Sequence, residues 1–412
     1  MAAVTFCADF LVDGAGQEAS ARRYNSVMRL IIVLAVLALT AACQNTEPSE
    51  PALSPPAKAA SVAGADTDTN LNNLDLSDTV EQASSAVPGE ELARAVGAVA
   101  LGQSAPITTM KTIDGQVIDL ANLYGKKPVY IKFWATWCVP CRQQMPAFQK
   151  TFQTLGDRIN VIAVDIGLSD DEASVRKVRD FYKLTMPIVI DDGHLAQLFG
   201  LRVTPQHVLI GKDARFAYFG HAENQQLADA IDRVLSQRVG GRAQAATAAT
   251  AATAATAAQV FAPGDMVPAM FAKTTTGKEV SLQGSASGRI RAVEFFSSWC
   301  EWYLEKTRPV TSQACARVRQ DIEVLAKEVN NVDWLGIAGG PWATTDDLTD
   351  YQQKHGVTMP VGLDAEGKLF RAFGVRDIPT IALIDAHGKV LRMIGPRTTN
   401  LKAAVHAVAD GI

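Results

Sequence analysis

Two cysteines, Cys138 and Cys141, stand two residues apart in Trp137-Cys138-Val139-Pro140-Cys141, directly behind the apolar run Val129-Tyr130-Ile131-Lys132-Phe133-Trp134. A buried strand running into a helix sets Cys138 at the helix N-terminus. There the helix dipole and nearby Arg142 favour the thiolate over the thiol. Cys141 follows one turn later, placed to attack any mixed disulfide that Cys138 forms. This arrangement suits thiol–disulfide exchange, in which one sulfur engages a partner and the other releases it. A Cys-x-x-Cys is also half of a zinc site, but no second Cys-x-x-Cys and no His-x-x-x-His follows, and the six histidines are scattered singly.

The stretch Phe133-Trp134-Ala135-Thr136-Trp137-Cys138-Val139-Pro140-Cys141 resembles the thioredoxin superfamily, and within it the membrane-anchored TlpA/ResA-like reductases. That resemblance implies a loop with a cis-proline packed near the cysteine pair. Gly200-Leu201-Arg202-Val203-Thr204-Pro205, followed by apolar Val208-Leu209-Ile210, has its form. Trp137, Thr204 and Pro205 are then expected to line the place where an extended client segment pairs with exposed backbone. Two positions depart from the family pattern. Lys132 stands where thioredoxins have a buried Asp, and Gln144 where TlpA/ResA-like proteins often have Glu, so neither acid is expected in the first domain. Lys132 either favours a thiolate electrostatically or carries its charge out to solvent.

The chain repeats itself. Trp137-Cys138 recurs 162 positions on as Trp299-Cys300, and Pro106 to Leu120 matches Pro268 to Leu282 at the same offset. Met186-Pro187-Ile188-Val189-Ile190-Asp191 returns as Met359-Pro360-Val361-Gly362-Leu363-Asp364. Phe199-Gly200 through Pro205 returns as Phe373-Gly374 through Pro379. Offsets that grow along the chain mean small insertions between two copies of one fold. The expected class is α/β: two tandem thioredoxin-like domains, each a central mixed sheet flanked by helices, over residues 101–238 and 261–412.

The second copy lacks a vicinal dithiol. Its motif reads Trp299-Cys300-Glu301-Trp302-Tyr303, with Tyr303 in the place of Cys141. The next cysteine, Cys315, would lie about 22 Å away in an unbroken helix, at roughly 1.5 Å per residue, too far for a disulfide. A break near Pro309 would let the two pair; otherwise Cys315 is a buried, inert core thiol. Glu294 takes the position of the thioredoxin acid, as a proton acceptor for Cys300 or as a solvated strand-end carboxylate. Retention of Ile378-Pro379-Thr380 points first to a module that still receives an extended peptide. A one-cysteine peroxidase is a poorer match, since Val293 and Ser297 replace the Pro and Thr of the peroxiredoxin signature. A structural partner for the first domain is the third reading.

The beginning of the chain is read as an export signal. Residues 1–27 are an upstream extension that suits no such signal. From Met28, Arg29 precedes the apolar run Leu30 to Leu39, and Leu39-Thr40-Ala41-Ala42-Cys43 resembles a lipoprotein cleavage box, with residues 28–42 removed and Cys43 acylated. An ordinary signal peptide cut near the same alanines, or an uncleaved anchor, is the alternative. Residues 44–100, rich in Ala, Ser, Pro, Asp and Thr, read as a disordered tether, and the Ala-Ala-Thr repeats within 239–260 as an interdomain linker. The implied place is the periplasmic side of a bacterial membrane, held by lipid.

The formal net charge of −4 offers no basic stripe for nucleic acid, and no phosphate-binding loop or other cofactor motif is present. The resemblance implies cysteine-containing client proteins, apocytochrome c or metal-centre assembly proteins among them, with electrons from a membrane donor. Thr204 before Pro205 also resembles isomerase-type loops, which keeps a disulfide oxidase or isomerase as the rival to a reductase, and a thiol-dependent adaptor without catalysis is the non-enzymatic reading.

The elements that must position these residues follow from local pattern. Val129 to Phe133, Asn160 to Asp165, Val208 to Ile210 and Ile381 to Asp385 read as buried strands, and Asp171 to Leu184 as a helix. Asp114-Gly115, Thr276-Gly277 and His387-Gly388 mark hairpin turns.

Overall fold

The computed structural model describes residues 88–238, 260–283 and 288–411, all within one compact unit, Thr69–Ile412. The signal segment with Cys43, most of the tether and residues 239–259 of the linker lie outside the described residues. The first domain runs α1 (Pro88–Ala100), β1 (Thr109–Lys111), β2 (Val117–Asp119), α2 (Leu120–Leu123), β3 (Val129–Trp134), α3 (Val139–Gln143), α4 (Met145–Leu155) and β4 (Asn160–Asp165). It continues with α5 (Glu172–Tyr182), β5 (Ile188–Ile190), α6 (His194–Leu198), β6 (Gln206–Ile210), β7 (Phe216–Gly220) and α7 (Gln225–Ser236). The second comprises β8 (Phe271–Lys273), β9 (Glu279–Ser281), β10 (Ile290–Phe296), α8 (Cys300–Tyr303), α9 (Pro309–Glu328), β11 (Val332–Gly339), α10 (Thr345–His355), β12 (Val361–Asp364), α11 (Lys368–Ala372), β13 (Thr380–Ile384), β14 (Val390–Ile394) and α12 (Leu401–Ala409).

Each domain is built on a five-stranded mixed sheet. The orders, β5-β4-β3-β6-β7 and β12-β11-β10-β13-β14, are the same topology used twice. The central strand pairs in parallel with one neighbour and antiparallel with the other: β3 with β4 and β6, β10 with β11 and β13. Each domain also carries a small hairpin, β1-β2 or β8-β9, at the predicted Asp114-Gly115 and Thr276-Gly277 turns. Gly115 and Gly277 take positive φ there, the conformation a glycine adopts without steric cost. Every residue of β3 is buried, as expected of a strand covered on both faces. Asp171 caps α5 by accepting from the Ser174 backbone N–H, which fixes that helix one residue inside the predicted start.

The tether reading is corrected at its C-terminal end. Residues 88–100 form α1, whose buried positions Ala93 and Gly97, with half-buried Val96 and Ala100, recur at helical spacing. Glu90 fastens the helix to the end of β7 by accepting from the backbone N–H groups of His221 (2.8 Å) and Ala222 (3.1 Å). The small side chains let it lie close to the sheet, with Gly97 facing Phe219. One apolar cluster runs from the first core through Trp137 and Trp299 into the second domain. A further cluster, around Ile322, Leu325 and Leu383, fills that domain's outer side.

Candidate active sites and the interface between them

β3 ends at Trp134, and the chain turns through Thr136 and Trp137 to set Cys138 as N-cap of α3. Cys138 and Cys141 are joined in a disulfide with a Cα separation of 5.2 Å. The Cys141 backbone N–H donates to the Cys138 sulfur at 3.2 Å. That donor and the open first turn of α3 would hold a thiolate at Cys138 once the bond is reduced. Pro140 costs nothing here, because the first helical positions have no intrahelical acceptor for an N–H. Both cysteines are fully buried, which bears directly on access.

The proline loops fall where the repeat placed them. Thr204-Pro205 and Ile378-Pro379 are both cis peptides, each leading into a strand beside the central one. The Pro205 carbonyl accepts from His221 Nδ1 at 2.7 Å.

Lys132 does not reach solvent, contrary to that reading of it. It is 0 % exposed, lies over the Phe148 ring and pairs with Glu223 at 3.6 Å. Burial lowers its pKa to about 8, against the opposing pull of Glu223. Burial likewise raises Glu223, with Lys132 as the opposing influence. Neither family acid is present, since Lys132 and Gln144 hold their positions, but a carboxylate reaches Lys132 from elsewhere: Glu223 arrives from the turn after β7, far away in sequence. His207, the cross-strand neighbour of Lys132, hydrogen-bonds Tyr130 Oη through Nδ1 (2.7 Å) and Gln144 Oε1 through Nε2 (3.0 Å). Burial and then Lys132 hold it well below the ordinary histidine value, so it is neutral. Gln144 also donates to the His221 carbonyl, so it ties the two histidines together where the family often has an acid. Asp165, at the end of β4, is a further buried acid; burial and then neighbouring Asp170 raise it well above the carboxylate range.

In the second domain the inert-thiol reading of Cys315 is overturned. Cys300 and Cys315 form a disulfide with a Cα separation of 6.3 Å. The helix breaks after α8, and Pro309 opens α9, which folds back and carries Cys315 to Cys300. Glu294 on β10 is no solvated strand end: it is 3 % exposed, and burial followed by repulsion from Glu301 pushes its pKa up to about 8, with Arg319 opposing. Arg319 is held by Glu301 at 2.6 and 3.0 Å.

The two cysteine faces pack against each other. The Trp137 and Trp299 rings meet with centroids 5.1 Å apart, and Tyr303 closes on Trp137 edge-on. Tyr303 Oη accepts from the backbone N–H of Val139, inside the first cysteine motif. Around these runs a pseudo-twofold set of contacts. Arg202 Nη2 donates to the Ala343 carbonyl, while the Arg202 carbonyl accepts from the Trp342 N–H. Its repeat counterpart Arg376 donates through Nε to the Gly167 carbonyl, and its carbonyl accepts from the Ser169 N–H. Ser169 and Trp342 both take positive φ, 55° and 60°, uncommon for residues with a Cβ. Each motif tryptophan holds its own domain's loop, Trp137 at the Leu168 carbonyl and Trp299 at the Pro341 carbonyl. On one side only, Trp342 Nε1 donates to Thr204 Oγ1 and its ring meets His221 edge-on. Arg308 pairs with buried Asp170 at 3.0 Å and donates to Thr136 Oγ1. The predicted client groove at Trp137, Thr204 and Pro205 is thus lined in part by the second domain. No sequence spacing signalled that pairing of faces.

Residues 101–219 match the family model described as AhpC/TSA family, and residues 262–405 the model described as Redoxin. Over 91 residues the chain is 45 % identical to the thioredoxin-like protein YneN of Bacillus subtilis (strain 168), covering 22 % of this chain and 53 % of that protein. Over 120 residues it is 31 % identical to the thiol-disulfide oxidoreductase ResA of Geobacillus thermodenitrificans (strain NG80-2), covering 29 % and 67 %. The crystal structure of StoA from Bacillus subtilis matches 30 % of this chain and 95 % of its own, at 27 % identity and a TM-score of 0.28. With the doubled sheet and the two proline loops, the ResA relative and the two family models identify the chain as a member of the thioredoxin superfamily, in its TlpA/ResA-like branch.

Proposed function

We propose that the first domain is a protein thiol–disulfide oxidoreductase working through Cys138 and Cys141, in the reducing direction. The observation that carries this is the cysteine pair itself, bonded across the first turn of α3 with the Cys141 N–H aimed at the Cys138 sulfur. In the reduced state the Cys138 thiolate attacks a client disulfide. A Cys138–client bond forms, and the displaced client sulfur leaves as a thiolate and takes up a proton. The Cys141 thiolate then attacks Cys138, restoring the Cys138–Cys141 bond and releasing the client's second sulfur. Two electrons from a donor reset the pair. Lys132 favours the thiolate form of the pair by its charge and can exchange a proton near neutral pH, with Glu223 as its partner. Thr204, Pro205 and Trp137 form the client surface once the second domain has moved aside. Relatives named as thiol-disulfide oxidoreductases support this assignment.

Export, acylation at Cys43, a periplasmic location and a membrane electron donor belong to the same reading, supported by the Leu30 to Cys43 pattern. Labelling cells with a palmitate analogue should mark the chain and fail to mark Cys43→Ser. The activity is tested by titrating Cys138 and Cys141 with alkylation across a graded thiol buffer. A midpoint near about −270 mV fits a reductase, one near about −120 mV a folding oxidant, and no titration would remove the catalytic reading.

A further inference from the structure

The molecule holds a second disulfide for which the exchange scheme above has no use. Cys300 is the first residue of α8, where Cys138 is the N-cap of α3; its partner is supplied by α9 instead of the next turn, and its sulfur is fully buried. Cys138 and Cys300 each follow directly on one member of the Trp137–Trp299 stack, and the paired Arg202 and Arg376 contacts flank the same interface. Trp342 meanwhile donates its backbone N–H to the Arg202 carbonyl, in the loop before Pro205. The second domain thus covers the Cys138 face, with its own disulfide next to Trp299.

We propose that Cys300–Cys315 is a second redox centre and the resident exchange partner of Cys138–Cys141, so that two electrons pass between the domains across this interface. The proposal rests on the exchange activity assigned above to the first domain. The indoles of Trp137 and Trp299 slide apart and the Cys138 thiolate attacks the Cys300 sulfur. A Cys138–Cys300 bond forms, the Cys300–Cys315 bond breaks, and Cys315 leaves as a thiolate that takes up a proton. The Cys141 thiolate then attacks Cys138, the Cys138–Cys141 bond re-forms, and Cys300 leaves with the electron pair and is protonated. The first domain has lost two electrons and two protons; the second has gained both. Glu294, buried on the strand that delivers Cys300, is a group able to exchange protons within the second core. The reverse sequence carries electrons from a reduced second domain to the first. Either way the first domain's closed face is a working state, not merely a shielded one.

The test uses the full chain. Cys141→Ser leaves Cys138 with no resolving partner, so proteolysis under non-reducing conditions should yield a Cys138 peptide cross-linked to a Cys300 peptide, with Cys315 free. In the wild-type chain, about one equivalent of dithiothreitol followed by timed alkylation should open Cys300–Cys315 about tenfold or more faster than in a Cys138→Ala/Cys141→Ala chain. Equal rates together with no cross-link overturn the relay. Insulin reduction by the wild-type chain separates the two failures. Insulin reduced without a cross-link leaves the oxidoreductase standing and removes the relay, whereas neither insulin reduction nor titration of Cys138 and Cys141 removes both.

Discussion

Glu294→Gln isolates one buried proton and gives the sharpest stability test. The carboxyl is 3 % exposed on β10, and its pKa rises from an ordinary 4.5 to about 8, chiefly by burial and then by Glu301. With a raised folded value, the group's favourable contribution is complete below about pH 4.5 and is lost as pH climbs through about 8. At 1.36 kcal/mol per pKa unit this amounts to roughly 5 kcal/mol between acid and alkaline limits, with a steepest slope of about 1.4 kcal/mol per pH unit. The amide is nearly isosteric and does not titrate in this range. Urea unfolding of the oxidised chain, followed by tryptophan fluorescence from pH 4.5 to 9, gives the comparison. Subtracting the variant from the wild type cancels the distant titrating groups. The difference should move in the variant's favour from the acid end, most steeply between about pH 5.5 and 7, and flatten towards about pH 9. A constant offset only reports the amide's own packing. A difference independent of pH across the range would refute the burial argument for Glu294.

The Lys132–Glu223 pair predicts a non-additive cycle. Glu223→Ala leaves a buried ammonium unpaired and should cost about 3–5 kcal/mol, while Lys132→Met with Glu223→Leu should recover most of that loss, measured by denaturant midpoints. Trp342→Ala removes the hydrogen bond to Thr204 and the edge contact with His221, together worth about 1–2 kcal/mol. It should open the interface, so Cys138 in the reduced chain should react with iodoacetamide on the order of tenfold faster at unchanged midpoint potential; an unchanged rate would mean that this contact does not hold the faces together.

Much of the fold was legible because it is written in local pattern. The Val129 to Trp134 run, the Asn160 to Asp165 run and the glycine turns each report only on their neighbours, and each became the strand or hairpin expected. Helix α1 was hidden because its buried stripe is Ala, Val and Gly, residues that in composition look like tether. Glu223 was hidden by distance: the acid that serves Lys132 comes from the far end of the sheet, and a search of the motif's neighbourhood cannot find it. The estimate of about 22 Å between Cys300 and Cys315 assumed an unbroken helix. A helix break of a few residues before Pro309 reduces the Cα separation to 6.3 Å.

That break also gives a physical reason for the altered second motif. In the first domain the resolving cysteine occupies the third residue after the nucleophile and points into the core. At the equivalent place Tyr303 instead extends across the interface and accepts the Val139 N–H, a contact beyond the reach of a cysteine side chain. Keeping a disulfide in the second domain while giving that position to the interface requires the partner sulfur to come from elsewhere. The kink before Pro309 turns α9 back so that Cys315 supplies it, and Ser312, one turn earlier, donates to the Glu301 carbonyl and pins α9 to α8. On this account Tyr303 and Cys315 are one change seen at two positions. Tyr303→Cys alone should therefore loosen the Trp137–Trp299 contact without displacing the Cys300–Cys315 bond, which peptide mapping of the oxidised chain would read directly. Re-pairing of Cys300 with the new cysteine would instead show that α9 holds Cys315 too weakly for that account.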